Sequence, residues 1–132
     1  MKNTHFNSLT PNLMVKDVNK TIDFYTSVLG FKRIMTVPEE GKFVWAMVGH
    51  GSVMLMFQAK ESLLEEYSCL KNQSFGGGLT FFIRVSDVED LYEKIKDKVE
   101  IVKKMGITPY GMKEFAIQDM NGFVLTFAEE KS

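Results

Sequence analysis

Apolar residues recur along this chain with two periods, and the period changes wherever turn residues stand. From Leu9 to Val15 the pattern reads as a strand. Asp17 follows, where a short carboxylate can accept the free backbone N–H groups of a first helical turn. Val18, Ile22, Tyr25 and Leu29 then fall at i, i+4, i+7 and i+11, one face of a helix, and Gly30 is placed to end it. Three strands are expected next, Phe31–Val37, Phe43–Val48 and Val53–Gln58, separated by the turns Pro38-Glu39-Glu40-Gly41 and Gly49-His50-Gly51. The middle strand alternates Phe43, Trp45 and Met47 against Val44, Ala46 and Val48. Both sides are apolar, so it should be covered on both faces. The order of elements is β-α-β-β-β.

The same order then returns. Leu79–Val85 reads as a strand, Asp87 as a cap, and Val88, Leu91, Tyr92 and Ile95 as the inner face of a helix. Val99–Lys103, Glu114–Gln118 and Phe123–Ala128 supply three strands, with Asp119-Met120-Asn121-Gly122 as the turn before the last. The residues repeat as well as the pattern. Val15-Lys16-Asp17-Val18 matches Val85-Ser86-Asp87-Val88 (87 − 17 = 70), and Thr10 falls on Thr80 at the same offset. Gly51 to Leu55 falls on Gly122 to Thr126 at an offset of 71. A repeat this long is a duplicated module, and two modules make one domain with an internal pseudo-twofold axis. The expected domain spans 8–129, with modules at 8–59 and 79–129 and a linker at 60–78. In the linker, Ser62-Leu63-Leu64-Glu65 has the form of a capping box opening a short helix, and Gly76-Gly77-Gly78 reads as a connector.

Composition narrows the function classes. An apolar share of 45% and a charged share of 25% over 132 residues describe one globular domain with a real core. A net charge of −1 argues against a general electrostatic grip on nucleic acid or an anionic membrane. No apolar run approaches about 18 residues and no signal-peptide pattern opens the chain, so a cytoplasmic protein without a membrane partner is expected. The single cysteine, Cys69, allows no internal disulfide and suits a reducing compartment. There is no Ser-His-Asp arrangement and no Cys-His pair, and the Gly76–Gly78 run lacks the Lys-Ser/Thr of a phosphate-binding loop.

Two stretches carry a family resemblance. The first is Val15-Lys16-Asp17-Val18 with Ile22-Asp23-Phe24-Tyr25 and Val28-Leu29-Gly30-Phe31. The second is Pro109-Tyr110-Gly111-Met112-Lys113-Glu114-Phe115-Ala116 leading to Asp119-Met120-Asn121-Gly122. Together with the doubled module they resemble the vicinal oxygen chelate superfamily, which includes glyoxalase I, extradiol dioxygenases and the fosfomycin- and bleomycin-resistance proteins. The second stretch is most similar to bleomycin-resistance-like members. The resemblance implies an α+β fold: two tandem β-α-β-β-β modules form half-barrel sheets, with helices outside and a ligand cavity in the concavity. It also implies a homodimer.

Metal-dependent members of the superfamily hold one divalent ion with His and Glu from four strand positions. Carried onto this chain, those positions are Thr10, Leu55, Thr80 and Thr126. Divalent catalytic ions take His nitrogen or carboxylate oxygen, usually from three or more residues. Three hydroxyls and an alkyl chain do not supply that, so no metal and no other cofactor are expected. His5, in the terminal segment, and His50, in a Gly-flanked turn, are read as solvated or capping residues.

Neighbours at the two-residue strand period extend the candidate ligand-binding set to Asn12, Phe57, Phe82 and Arg84, with Phe43, Trp45 and Phe115 from the middle strands; Met112, in the second family-like stretch, is added to it. Phe115 is taken as the counterpart of Trp45 (115 − 45 = 70). Glu114 and Asp119 are read as structural. No catalytic residue is assigned. The expected function is binding of a small organic ligand, antibiotic-like or aromatic, without turnover. The alternative is a metal-dependent lyase or dioxygenase of the same superfamily with different ligands. A third reading is an interaction domain whose concavity is filled.

Overall fold

The computed structural model describes residues 3–131. Its elements are β1 (Asn12–Val15), α1 (Val18–Ser27), β2 (Lys32–Val37), β3 (Trp45–His50), β4 (Val53–Ala59), α2 (Lys60–Glu66), β5 (Thr80–Arg84), α3 (Val88–Ile95), β6 (Glu100–Ile107), β7 (Met112–Gln118) and β8 (Val124–Glu130). A single 3-10 turn at Ser68–Leu70 follows α2. The strands form two mixed sheets of identical design, ordered β1-β4-β3-β2 and β5-β8-β7-β6. In each, the first strand of the module runs parallel to the last and the other pairs are antiparallel. The α+β architecture of two tandem β-α-β-β-β modules is therefore present.

Several boundaries moved for local reasons. β1 begins at Asn12 rather than Leu9, because Pro11 has no N–H to give a ladder; its carbonyl accepts from Met56 N–H at 2.9 Å. β6 runs on to Ile107, past the expected Lys103, with register shifts on either side of Lys103. α2 opens at Lys60 and Ser62 caps nothing; its hydroxyl instead accepts from Gln58 Nε2 at 2.9 Å.

The two helices start differently. Asp17 caps α1 as expected, accepting from Lys20 N–H at 3.0 Å with its own backbone extended. Asp87 does not cap α3. Its φ of 60° and ψ of 54° are left-handed, and its side chain makes no capping bond. The carboxylate of Glu129 on β8 takes over, accepting from Asp87 N–H at 2.9 Å and Val88 N–H at 3.1 Å. Those two bonds hold the Glu129 carboxyl below its ordinary range. Their contribution is present above the usual carboxylate pKa and is lost as pH falls through the depressed one. Glu129→Ala is expected to lower the melting temperature and speed amide exchange in the first turn of α3, whereas Asp87→Asn should barely move either. Equal effects would return the cap to Asp87.

One continuous core unites the modules. Leu13, Val15, Ala46, Val48, Leu55 and Phe57 turn one face of the first sheet toward Val18, Ile22 and Tyr25 of α1. Phe115, Ile117, Leu125 and Phe127 do the same for the second sheet toward Val88 and Ile95 of α3. The seam between modules is polar and fully matched. Tyr25, with no exposed surface, donates to Asp119 Oδ2 at 2.7 Å. Asp119 Oδ1 accepts from the N–H groups of Asn121 and Phe123, both at 2.9 Å. Asn121 Nδ2 donates to Thr21 Oγ1 at 2.9 Å, and Asn121 Oδ1 accepts from Lys16 N–H at 3.2 Å. Burial raises the Tyr25 hydroxyl pKa above its ordinary value, and the Asp119 charge and hydrogen bond raise it further.

Gly76 belongs to the same seam. Its φ is +83°, and a Cβ there would stand 2.6 Å from the carbonyl oxygen of Gly122. It is a point of backbone contact, so the Gly76–Gly78 run is more than a connector at this position.

Candidate functional site on the open sheet faces

Each sheet has one face on its helix and one face turned away from the shared core. The registers assign residues to the second face. In the first sheet, Asn12 pairs with Met56, Met56 with Met47, and Met47 with Met35; Met14 pairs with Gln58, Gln58 with Trp45, and Trp45 with Val37. In the second sheet, Phe82 pairs with Thr126, Thr126 with Ala116, and Ala116 with Lys103; Arg84 pairs with Ala128, Ala128 with Glu114, and Glu114 with Gly106. Thr80 pairs with Val124, one row further along.

Of the residues singled out in the sequence, Asn12, Trp45, Thr80, Phe82, Arg84, Met112 and Thr126 lie on these open faces, and Thr10 stands two residues before Asn12, half-buried. The others do not. Leu55 and Phe57 point the opposite way; Phe57 packs at a tilt against Tyr25 of α1 with ring centroids 4.9 Å apart. Phe115 meets Tyr92 of α3 edge to face at 5.1 Å. Phe43 precedes β3 and joins the core; its N–H is held by Asn19 Oδ1 of α1, and Arg33 lies over its ring at 4.7 Å.

Two of these corrections identify the true counterparts. Asn12 opposite Met56 repeats as Phe82 opposite Thr126, so the position equivalent to Thr126 is Met56 (126 − 56 = 70), not Leu55. Trp45 opposite Gln58 repeats as Glu114 opposite Ala128, so the counterpart of Trp45 is Glu114, not Phe115.

Glu114, read from the sequence as structural, sits on the open face. It is buried, yet both its oxygens are engaged: Lys103 Nζ donates to Oε2 at 2.7 Å and the Tyr110 hydroxyl to Oε1 at 2.6 Å. Burial works to raise its pKa, but the bonds from Lys103 and Tyr110 outweigh that and hold the carboxyl below its usual range. The signal available in the sequence was a lone acid inside an apolar strand, with a Lys on the preceding strand and a Tyr in the turn between them. Beside this cluster, Ala116 and Ala128 leave a low floor between Lys103 and the Phe82 ring, which is 53% exposed; the Thr126 hydroxyl opens onto it. Arg84 leans out to Glu130 at 3.8 Å. In the first sheet, Asn12 Nδ2 donates to Gln58 Oε1 at 2.8 Å, and Gln58 reaches on to Ser62 and Glu66 of α2, so α2 lies at one end of that face.

The donor set decides what the four superfamily ligand positions can hold. They carry Thr10, Met56, Thr80 and Thr126, three neutral hydroxyls and a thioether divided between the two modules. Among the described residues no group of three His, Cys, Asp or Glu side chains is placed to hold a metal ion. These residues do not fit the divalent ion of the metal-dependent members. His5 and His50 are both exposed, His50 with its ring edge on Phe31. Cys69 is exposed. No helix among the described residues is long and apolar enough to cross a membrane.

Known proteins repeat this architecture. TioX from Micromonospora sp. ML1 superposes with a TM-score of 0.77 at 20% identity, covering 95% of this chain and 99% of its own. The bleomycin-binding protein of bleomycin-producing Streptomyces verticillus, solved with copper(II)-bleomycin, superposes with a TM-score of 0.65 at 22% identity, covering 98% and 99%. In sequence, lactoylglutathione lyase of Neisseria meningitidis serogroup A is 27% identical over 126 residues, 91% of this chain and 88% of its own. The model of the Glyoxalase/Bleomycin resistance protein/Dioxygenase superfamily matches residues 5–127. With its two β-α-β-β-β modules and that match over nearly its whole length, the chain belongs to the Glyoxalase/Bleomycin resistance protein/Dioxygenase superfamily.

Proposed function

We propose that this protein binds a flat, partly apolar organic molecule without turning it over, in pockets made when the open sheet faces of two copies meet. The observation that carries this reading is what stands around the superfamily's ligand positions. Where metal-dependent members need imidazole and carboxylate, this chain has hydroxyls and a thioether, set among Trp45, Phe82, an alanine floor and the methionines 35, 47 and 56. Methionine thioethers are polarisable and adapt to the faces of aromatic ligands, and hydroxyls orient without catalysing.

Exposed apolar groups support the pairing of two copies. Phe6 and Leu9, ahead of β1, are 98% and 86% exposed, and Met35 and Tyr110 add to the apolar surface. Burying a side chain such as Phe6 or Leu9 against a partner gains about 1.5–3 kcal/mol each. Covering one open face with that of a second chain turns two shallow platforms into an enclosed cavity, which a lone sheet face does not provide. A single charge cluster, Glu114 with Lys103 and Tyr110, then gives the pocket one polar wall.

The 27% identity with a lactoylglutathione lyase favours a second reading, a metal-dependent lyase with other ligands. One experiment separates the two. The protein is incubated with zinc, nickel, manganese and iron(II) salts, desalted and assayed for bound ion, and Trp45 emission is then followed against a panel of aromatic drugs and metabolites. No retained ion, with saturable quenching of Trp45 by a panel member, is the expected result. About one ion per chain would overturn it in favour of the lyase. Sedimentation equilibrium tests the pairing: a dimer is expected, and a monomer at tens of micromolar would defeat the two-copy pocket.

A further inference from the structure

A cavity of about 530 Å³ lies in the cleft between the two modules and shares Arg84 with the open face of the second sheet. That volume is within the range of small-molecule pockets. Its walls come from both halves of the chain. The first module supplies Leu29 and Phe31 from the link between α1 and β2 and the hairpin His50–Val53; the second supplies Ile83–Asp87, the first turns of α3, and Phe127. Leu29, Phe31, Val53, Ile83, Leu91 and Phe127 give it an apolar lining.

Four charged residues also line it, and their pairing decides the sign of an occupant. Lys94 is bound to Asp90 at 2.9 Å, and Arg84 reaches out to Glu130 at 3.8 Å. Both cations are thus already matched by carboxylates. Asp87 is left. At the equivalent position of the first module Asp17 is fully employed as a helix cap, but Asp87 has given that work to Glu129 and makes no capping bond. Its backbone holds the left-handed region, which a short polar side chain tolerates. The result is a carboxylate with no cap to make, at the mouth of an apolar cavity.

We propose that this intermodule cavity is a second ligand site, for a small amphiphilic amine. The apolar body would lie against Phe31, Leu91 and Phe127 and the ammonium group would pair with Asp87. A carboxylate or phosphate ligand is disfavoured, since the cations there are taken and Asp87 would repel it. Apart from Arg84, the cavity draws on residues other than those of the open-face site.

The test titrates ¹⁵N-labelled protein with 2-phenylethylamine, 3-phenylpropionate and benzyl alcohol, matched in ring and differing in charge. The amine is expected to shift the amide signals of Gly51, Ser52, Ser86 and Asp87 saturably, and to leave those of Trp45, Met56 and Phe82 in place. The acid should bind at least about tenfold more weakly. Asp87→Asn keeps a residue that tolerates positive φ and removes only the charge; it should abolish the preference for the amine. Asp87→Gly, which suits the same backbone, does so by a second route should the asparagine variant not fold. Equal binding of amine and acid, an undiminished preference in either variant, shifts confined to the open faces, or no shift with 10 mM amine would each overturn the proposal.

Discussion

Asp119→Ala is expected to destabilise the protein by about 3–5 kcal/mol, read as a fall in the urea midpoint at unchanged slope. The carboxylate serves three buried donors: the Tyr25 hydroxyl and the N–H groups of Asn121 and Phe123. Each donor left bare costs about 1–3 kcal/mol, and water entering the vacated space recovers part of it. Tyr25→Phe removes one donor and should cost about 1–3 kcal/mol; in the double variant the two losses should fall well short of adding, because they share one bond. The seam also has a pH signature. Burial, then the charge and hydrogen bond of Asp119, keep Tyr25 protonated in the folded chain, while the unfolded chain ionises it near pH 10. The folded-state pKa is raised, so the contribution is intact below about pH 10 and is lost above it, at about 1.4 kcal/mol per pH unit. Tyr25→Phe should flatten that alkaline limb. A loss below about 1 kcal/mol for Asp119→Ala would mean that the modules hold together by apolar packing alone.

Phe115→Ala is the second large effect, again about 3–5 kcal/mol, with a Trp45→Ala control that should cost far less. Phe115 has no exposed surface and touches Tyr92 and Phe127, so truncation leaves a void in the core. Trp45 is half-buried on an open face. The pair therefore separates scaffold from site. Phe115→Ala should lose stability and, at temperatures where it stays folded, bind ligand nearly as the parent does. Trp45→Ala should stay folded and lose ligand-dependent stabilisation. The reverse assignment would restore Phe115 as a ligand clamp and undo the register described above.

Most of the fold was legible because duplication supplied an internal check. Thr80, Phe82, Arg84 and Thr126 reached the face expected of them, since Val85-Ser86-Asp87-Val88 and Asn121-Gly122 anchor β5 and β8 on both sides. β4 slipped by one residue for a physical reason. Its two faces are Met54, Met56 and Gln58 against Leu55, Phe57 and Ala59, and methionine is as apolar as leucine, so the alternation says little about which side meets the helix. The hairpins of the two modules also differ in length by a residue, so an offset of 70 fits the first and last strands and an offset of 69 the middle ones. The same slip placed Phe115 opposite Trp45 when Glu114 belongs there. The partners of Asp119 were out of reach altogether: Tyr25 is 94 residues away in the chain, and no local pattern links a turn to a tyrosine on a distant helix.

The seam makes the two halves of this repeat non-interchangeable. The second module offers Asp119-Met120-Asn121-Gly122 to the first; at the corresponding turn the first offers Gly49-His50-Gly51. A chain assembled from two copies of the first module would place the Tyr25 hydroxyl beside Gly49-His50-Gly51, with no carboxylate to accept from it. A chain of two second modules would carry the acceptor and have no tyrosine to fill it, since the equivalent of Tyr25 there is Ile95 (95 − 25 = 70). The pairing of one module of each kind is thus written into the seam, half of it in each module.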